Sequence, residues 1–575
     1  MNNCFIITDI LSKLMQAAME HAFPGQLNTF TATVTETANP EFGDYQCNDA
    51  MSLAKLLKKK PRDVASELLN ALPENAVISK TDIAGPGFIN LTLSPDWLVG
   101  KLDAISSSVK LGVPDVGEGK TIVIDYSSPN VAKPMHIGHI RSTIIGNSID
   151  KMHRYLGYKV VSDNHLGDWG TQFGIIIMGY RHFVDKQALQ DSPVEELERV
   201  YVASYKKTED DEEWKNQCRK ELVKLQAGDP ENLRLWKEFV DISMREFERI
   251  YNRLGVSFDL VRGESYYNPK LKGVVEELKG KGIAKESEGA MVVFLEEEKL
   301  PVCIVRKSDE GFNYATTDIA TIESRVGEFS PAKIIYVTDE RQQLHFKQIF
   351  AICRRIGVNV PLDHVWFGLM RLPEGTFSTR QGNVIKLESL LDEAVSRAKE
   401  LARQSSPDTS EEQLNEVAKV VGIGAVKYAD LSQNPQTTIT FTWDKAMALN
   451  GNSGPYLQYA YARIASVIDK YRDNYPDKDL EKYPINLTER IERDLAIRLI
   501  RFPDIVIRAA HSYKPSMIAD YLFDLAQTYS SFYQNVPFLK AEEGVRESRV
   551  RLCALVSKVL KKGLDLLGIG TLDRI

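Results

Sequence analysis

The sequence predicts a multidomain α/β protein: an α+β amino-terminal unit, a doubly wound parallel-sheet core with insertions, and an all-α carboxy-terminal part. Three observations carry this. A short β-branched run, an amphipathic helix and a second short strand follow one another between Thr121 and Ser162, a βαβ pattern. A charged, helix-forming stretch (EELERV, KKTEDDEEWKNQCRKELVK) interrupts that pattern and reads as a solvated insertion. After Leu387 the apolar residues recur at helical spacing to the end of the chain.

Taken in order, residues 1–117 contain helical patterns at Ile7–Ala22 and Asp49–Leu72 and strand-like runs at Thr29–Glu36 and Gly87–Leu93. In Asp82–Leu93, glycine–proline punctuation leads into alternating apolar residues, a strand reached through a tight turn. Gly112–Lys120, rich in glycine, proline and charge, reads as a linker. The core unit follows over 118–387. Its first strand is Thr121–Tyr126 (TIVIDY), and its first helix, Ile137–Leu156, has apolar residues at Ile140, Ile144, Ile145, Ile149, Met152 and Leu156. The next strand, Lys159–Ser162, leads into a glycine-rich stretch ending at Gly174. Insertions are expected over about 175–250 and 265–310, with strand-like runs at Ala290–Leu295, Cys303–Val305 and Lys333–Val337 and a helix through His345–Ile356. A helical region over 388–450 precedes an all-helical unit over 451–575.

A length of 575 residues fits about 3–5 domains. Apolar content of 43% and charged content of 26% are those of a soluble globular protein. No apolar run approaches the ~20 residues of a membrane-spanning helix, and the first residues read as the start of a helix, so a cytoplasmic location is expected. The six cysteines are scattered without a C-x-x-C pair, the pattern of packed, reduced thiols. The net charge of −7 does not exclude RNA, because phosphate backbones are met by local basic patches.

The chemistry concentrates in His136-Ile137-Gly138-His139, between a strand and a helix. Amides at a helix start are unpaired and the dipole there is positive, so a polyphosphate is stabilised. Imidazoles add donors for charge that grows on phosphate oxygens during displacement at phosphorus. Gly138 lets a nucleotide base approach the backbone. For the bare motif, two ordinary histidines at a helix start are the favoured reading, and the flanking residues overturn it. A metal site lacks further ligands nearby.

The flanking residues bring a resemblance. Ser127-Ser-Pro-Asn-Val-Ala-Lys-Pro-Met-His-Ile-Gly-His-Ile-Arg-Ser-Thr-Ile-Ile-Gly146 resembles the nucleotide-binding signature of arginyl-tRNA synthetases, a class I aminoacyl-tRNA synthetase family. Four further stretches are similar to that family, in order along the chain. They are Glu41-Phe-Gly-Asp-Tyr-Gln46, Asn164-His-Leu-Gly-Asp-Trp-Gly-Thr-Gln-Phe-Gly174, Tyr314-Ala-Thr-Thr-Asp318 and Gly451-Asn-Ser-Gly-Pro-Tyr-Leu-Gln-Tyr-Ala460. The resemblance implies a Rossmann-like catalytic core (118–387), a helical stem-contact region (388–450), an anticodon-binding unit (451–575) and an amino-terminal unit that reads the tRNA D-arm. It implies activation of L-arginine by ATP with Mg²⁺, then transfer to the terminal adenosine of tRNA-Arg, by a monomer in the cytoplasm.

Site residues follow from the same resemblance. His136 and His139, with Lys133, are the catalytic candidates; Gly138 and Arg380 join them around ATP. Ser128, Asn130, His139, Glu264, Tyr314, Asp318 and Gln342 match arginine-binding positions, and Asp318 is the best charged partner for a planar, always-charged guanidinium. Tyr314 and Asp318, four apart, share a helix face. No resident metal ligand is assigned. The family's lysine-bearing loop is here Thr376-Phe-Ser-Thr-Arg380, without either lysine, and the resemblance implies that Lys133 compensates. Phe88 and Asn90 match the D-arm reader, with Lys58, Lys59, Lys60 and Arg62 nearby for phosphates. Tyr459 and Arg463 match anticodon-loop contacts, with Phe532 and Tyr533 as possible additions, and Ile575 stands where relatives end in methionine. Two rivals are another adenylyl transferase without tRNA, which a long helical carboxy-terminal unit disfavours, and a paralogue that binds tRNA without activating an amino acid, which only the missing loop lysines favour.

Overall fold

The computed structural model describes residues 6–26, 30–37, 39–371 and 386–575. At its centre lie five parallel strands: β1 (Thr121–Asp125), β2 (Lys159–Asn164), β3 (Leu260–Val261), β4 (Lys333–Asp339) and β5 (Leu362–Phe367). Their spatial order is β3-β2-β1-β4-β5, so the winding reverses between β1 and β4. That reversal opens a crevice at the carboxyl ends of the two strands, where open α/β sheets bind ligands. The β-branched run of β1 is buried on both faces, as a central parallel strand requires.

The helix Ile137–Tyr155 crosses from β1 to β2 and is buried on more than its apolar stripe. Ile140, Ile144, Ile145, Ile149 and Met152 pack in the core, while Arg141, Ser142, Thr143, Asn147 and Ser148 are buried as well. The reason is tertiary: the carboxy-terminal helices cover its other side. Arg141 Nε donates to Asp430 at 2.9 Å, and its terminal nitrogens donate to Asp430 and to the carbonyls of Gly368, Pro435 and Thr437. Ser148 Oγ donates to the Leu566 carbonyl and Lys151 pairs with Asp565, both at 2.9 Å.

Both expected insertions adopt structures of their own. Helices from Gln172–Phe183 to Pro230–Leu254 pack around Phe173, Leu197 and Phe239, with Asp185, Asp211 and Asp229 capping three of them. Farther on, Ala284–Ser287, Ala290–Val293 and Cys303–Arg306 form a three-stranded antiparallel sheet. The amino-terminal unit has a four-stranded antiparallel sheet in the spatial order Val34–Glu36, Tyr45–Cys47, Phe88–Leu93, Ile78–Ala84. The single helix expected over Asp49–Leu72 is two, Asp49–Leu57 and Pro61–Asn70. Pro61 disfavours a helical Lys60 and opens the second helix at its first position, where its missing N–H costs nothing. Lys58 closes the first helix at φ +52°. Of the strand expected at Thr29–Glu36, Val34–Glu36 is observed, and residues 27–29 lie outside the described residues.

Beyond Leu387 the chain is helical from Leu387–Ser405 to Val545–Leu566, apart from the two-residue strand Ile439–Thr440, which pairs in parallel with Met370–Arg371. Cys47, Cys218, Cys303, Cys353 and Cys553 are buried free thiols, and Cys4 lies outside the described residues. Among the described residues no helix is long and apolar enough to cross a membrane.

Candidate active site

The loop from β1 to the histidine helix holds three non-glycine residues at positive φ, Ser127 (+73°), Ser128 (+50°) and Ala132 (+62°). Such strain persists only where surroundings over-determine the backbone. Here they do. Ser127 N–H donates to Ser142 Oγ at 2.9 Å, Ser128 N–H to Asn164 Oδ1 at 3.0 Å and Ala132 N–H to Ser243 Oγ at 2.9 Å. Beneath the loop, buried Arg325 donates to Asp125 at 2.7 Å and to Asp163 at 2.8 Å, fixing the ends of β1 and β2.

His136 is the cap of the helix, in extended conformation. Gly138 N–H donates to His136 Nδ1 and His136 N–H donates to His139 Nδ1, both at 3.0 Å. The two rings stack with centroids 3.8 Å apart. Two amides expected to meet a polyphosphate are therefore satisfied by the imidazoles themselves. Because each Nδ1 accepts, a neutral ring carries its proton on Nε2 and offers an N–H outward. Burial first, then the charges of Arg341 and Lys133, push His136 down to about 4. His139 is held well below the ordinary imidazole value by burial, then by His136 and Lys133. At neutral pH both rings are uncharged donors.

Gly138 has a role besides backbone approach: a Cβ there would lie 2.8 Å from His136 Cε1 and 2.9 Å from its Nδ1. Gly138→Ala is expected to displace the His136 ring and lower ATP-dependent turnover about tenfold to a hundredfold, with the chain still folded. Steady-state kinetics beside a thermal melt measure this, and an unchanged rate would refute the packing argument.

Lys133 is half-buried with Nζ 4.8 Å from the centre of the Tyr201 ring, a residue of the first insertion. Burial holds it below the usual lysine value, opposed by Glu198. Arg380 and the stretch Thr376–Arg380 lie outside the described residues. Where the chain resumes, Lys386 bridges antiparallel to His136, and Leu387 N–H donates to the Met135 carbonyl at 2.9 Å. Lys386 and Leu387 are thus tied to the histidine motif.

Six of the expected arginine-binding residues, Ser128, Asn130, Glu264, Tyr314, Asp318 and Gln342, line one cavity of about 380 Å³ at the carboxyl end of the sheet. The seventh, His139, is not in its wall. Ser128 Oγ donates to Asp125 at 2.9 Å. Glu264 sits on a turn held by Asp168, which accepts from Ser265 N–H at 2.8 Å and Oγ at 2.6 Å. Gly263 packs directly on that carboxylate and leaves no room for a side chain. Burial raises Glu264 to about 8, and the charges of Asp318 and Asp168 add to it. Asp318 accepts from or shares a proton with His345 Nε2 at 2.5 Å. Among the described residues the cavity wall holds three carboxylates, Asp125, Glu264 and Asp318, and no lysine or arginine, which suits a cationic ligand.

Sequence reasoning left several functional positions unassigned. Asp125 and Asp168 stood inside the quoted motifs without roles; His345, in Gln342-Gln-Leu-His-Phe346, lies three residues after Gln342 and so on the same face of that turn. Arg341 had no signal except its place beside Gln342. Among the described residues no cluster of three or more His, Cys, Asp or Glu is arranged to hold a metal.

The expected RNA contacts lie on two separate units. Phe88 is half-buried at the end of a hairpin turn whose Gly85 carbonyl accepts from Arg62 at 3.3 Å. Asn90 is only 2% exposed, accepting from Gln46 Nε2 at 2.7 Å with its own amide nitrogen unpartnered. Lys59 pairs with Glu67 at 2.6 Å. Tyr459 is half-buried and Arg463 exposed on one face of Gly454–Asn474, the guanidinium 5.9 Å from the Tyr533 ring. Phe532 is fully buried, stacked on Phe538, and presents nothing to a ligand. Ile575 packs beside the Ala398–Val421 cluster.

Three family models match the chain. They are the arginyl tRNA synthetase N-terminal domain over residues 7–93, the class I (R) tRNA synthetase catalytic domain over 101–443 and the DALR anticodon binding domain over 457–575. The arginine–tRNA ligase of Fusobacterium nucleatum is 45% identical over 566 residues, 98% of this chain and 99% of that one. That of Shigella sonnei is 44% identical over 554 residues, covering 94% and 95%. The solved arginyl-tRNA synthetase of Plasmodium falciparum superposes with a TM-score of 0.85 at 28% identity, covering 99% of both chains. The Thermus thermophilus arginyl-tRNA synthetase, at 22% identity, TM-score 0.83 and coverage of 99% and 100%, shares the fold.

Proposed function

Since the chain belongs to the arginyl-tRNA synthetase family and is an arginine–tRNA ligase, we propose that two adjoining parts of one crevice divide its reaction. His136, His139, Gly138 and Lys133, with Arg380, hold ATP; Ser128, Asn130, Glu264, Tyr314, Asp318 and Gln342 hold arginine, and His139, although outside the cavity wall, is assigned to arginine as well from the resemblance. The observation that carries this is the acidic cavity at the switch point, whose Gln342 neighbours the Arg341 charge felt by His136.

An arginine carboxylate oxygen attacks the α-phosphorus of ATP, forming the mixed anhydride and releasing diphosphate. The 2′-hydroxyl of the terminal adenosine of tRNA-Arg then attacks the acyl carbon, and AMP leaves. Neither step requires a covalent link to the protein. The neutral histidines donate Nε2–H bonds to phosphate oxygens as negative charge grows, and Lys133 supplies the positive charge. Positioning by the strained loop contributes the rest. We assign Mg²⁺ to the nucleotide, as the usual companion of its phosphates.

Phe88 and Asn90 of the 1–117 unit are assigned to the tRNA D-arm, residues 388–450 to its stem, and Tyr459 and Arg463 of the 451–575 unit to its anticodon loop. For Asn90 this requires Gln46 to release its carbonyl oxygen. Buried reduced thiols support a cytoplasmic location, and we infer a monomer. Arginine-dependent exchange of diphosphate into ATP tests the assignment: exchange is expected with tRNA-Arg present and little without it. Exchange driven equally by another amino acid would defeat the pocket assignment.

A further inference from the structure

We propose that His345 is a positioning residue for arginine binding: as an imidazolium it occupies Asp318 while the cavity is empty, and it releases a proton when a guanidinium arrives. This rests on the reading of Asp318 as the guanidinium's partner.

The geometry is specific. His345 stands in the first turn of Gln343–Ile356, Asp318 one turn into Tyr314–Phe329, and both line the same cavity. His345 Nε2 meets Asp318 Oδ2 at 2.5 Å, and among the described residues no hydrogen bond reaches Oδ1. That second oxygen is open to an incoming cation. A guanidinium bound there repels a neighbouring imidazolium, and the cheapest relief is loss of the Nδ1 proton to solvent. Neutral His345 keeps Nε2–H donated to Oδ2, so the carboxylate stays aimed throughout.

Other titratable groups face this corner from every packed element. Asp125 of β1, Glu264 and His165 line the same cavity, Tyr314 and Arg325 share Asp318's helix with Arg325 donating to Asp125, Tyr336 and His364 rise from β4 and β5, and Lys347 is on the helix of His345. Burial lowers His345, but the hydrogen bond and charge of Asp318 outweigh it and raise the ring above its ordinary value. A neutral side chain of arginine's shape leaves the proton in place, so its binding should lack this pH dependence.

The sign follows from linkage. The imidazole binds a proton more tightly in the empty cavity than in the occupied one. Arginine affinity therefore rises with pH between the occupied-state and empty-state values, by up to about tenfold per pH unit, and levels off above. Glu264, raised in the empty cavity, adds a second proton in the same direction. Calorimetry of arginine binding to the full chain, at about pH 6.5 in two buffers of different ionisation enthalpy, counts the protons released. His345→Gln is expected to release fewer by up to about one and to show a flatter pH profile, matching the wild type within about threefold at about pH 8; Glu264→Gln keeps the His345 share. Independently, NMR titration of the His345 ring should move to lower pH on saturation with arginine. Unchanged proton release in His345→Gln, or an unmoved ring titration, overturns the exchange. Undiminished arginine affinity in Asp318→Asn would instead overturn the reading of Asp318 itself.

Discussion

Replacing Lys133 with alanine is expected to lower arginine-dependent exchange of diphosphate into ATP about 100- to 1000-fold, the loss that follows removal of one preorganised charge from a developing oxyanion. Arginine binding measured by calorimetry should stay within about twofold, because Lys133 stands on the histidine side of the crevice and not in the acidic cavity. The Lys133 ammonium lies on the Tyr201 ring, half-buried, close enough to depress both His136 and His139. The stretch Thr376-Phe-Ser-Thr-Arg380 offers no lysine to take over. Equal losses in exchange and in arginine binding would remove Lys133 from the nucleotide's side and make it a structural residue.

The second large effect belongs to Asp318. Asp318→Asn keeps the shape and a hydrogen bond to His345 but removes the charge. Arginine affinity is expected to fall about 30- to 4000-fold, the range for deleting one partner of a desolvated charge pair. The ATP concentration giving half-maximal exchange, read at saturating arginine, should change little. Glu264 compensates only in part, since burial, its largest cause of elevation to about 8, remains in the variant and its carboxyl must lose a proton before it can pair with the guanidinium. If arginine binds the variant as before, the guanidinium lies elsewhere.

Local pattern made much of the fold legible. Ile7–Ala22 occupies the span its periodicity indicates, and the histidine helix ends within a residue of its apolar stripe. The broken helix at Lys58–Pro61 shows the limit: apolar spacing continued across a position where the proline ring forbids the turn. The site divides similarly. The residues of the acidic cavity were named through resemblance, and no periodicity marks them. His345 and Arg325 went unassigned because their partners are distant in sequence, Asp318 by 27 positions and Asp163 by 162. Asn90 stands in a strand, yet its burial depends on Gln46 reaching across from the neighbouring strand, a pairing that alternation cannot reveal.

Arg141 bears on how such a chain can be rearranged over evolution. Its guanidinium, rooted one turn beyond His136, is matched to Asp430, 289 positions away. Removing the Asp430 carboxylate from the intact chain would leave that cation buried and unmatched, at about 3–5 kcal/mol. Against the roughly 5–15 kcal/mol that holds a domain folded, that is a large share. The first insertion is tied to the site as well, supplying Ser243 to the strained loop and Tyr201 to Lys133. The nucleotide-binding helix is not a portable cassette: it travels only with the helical unit that neutralises it.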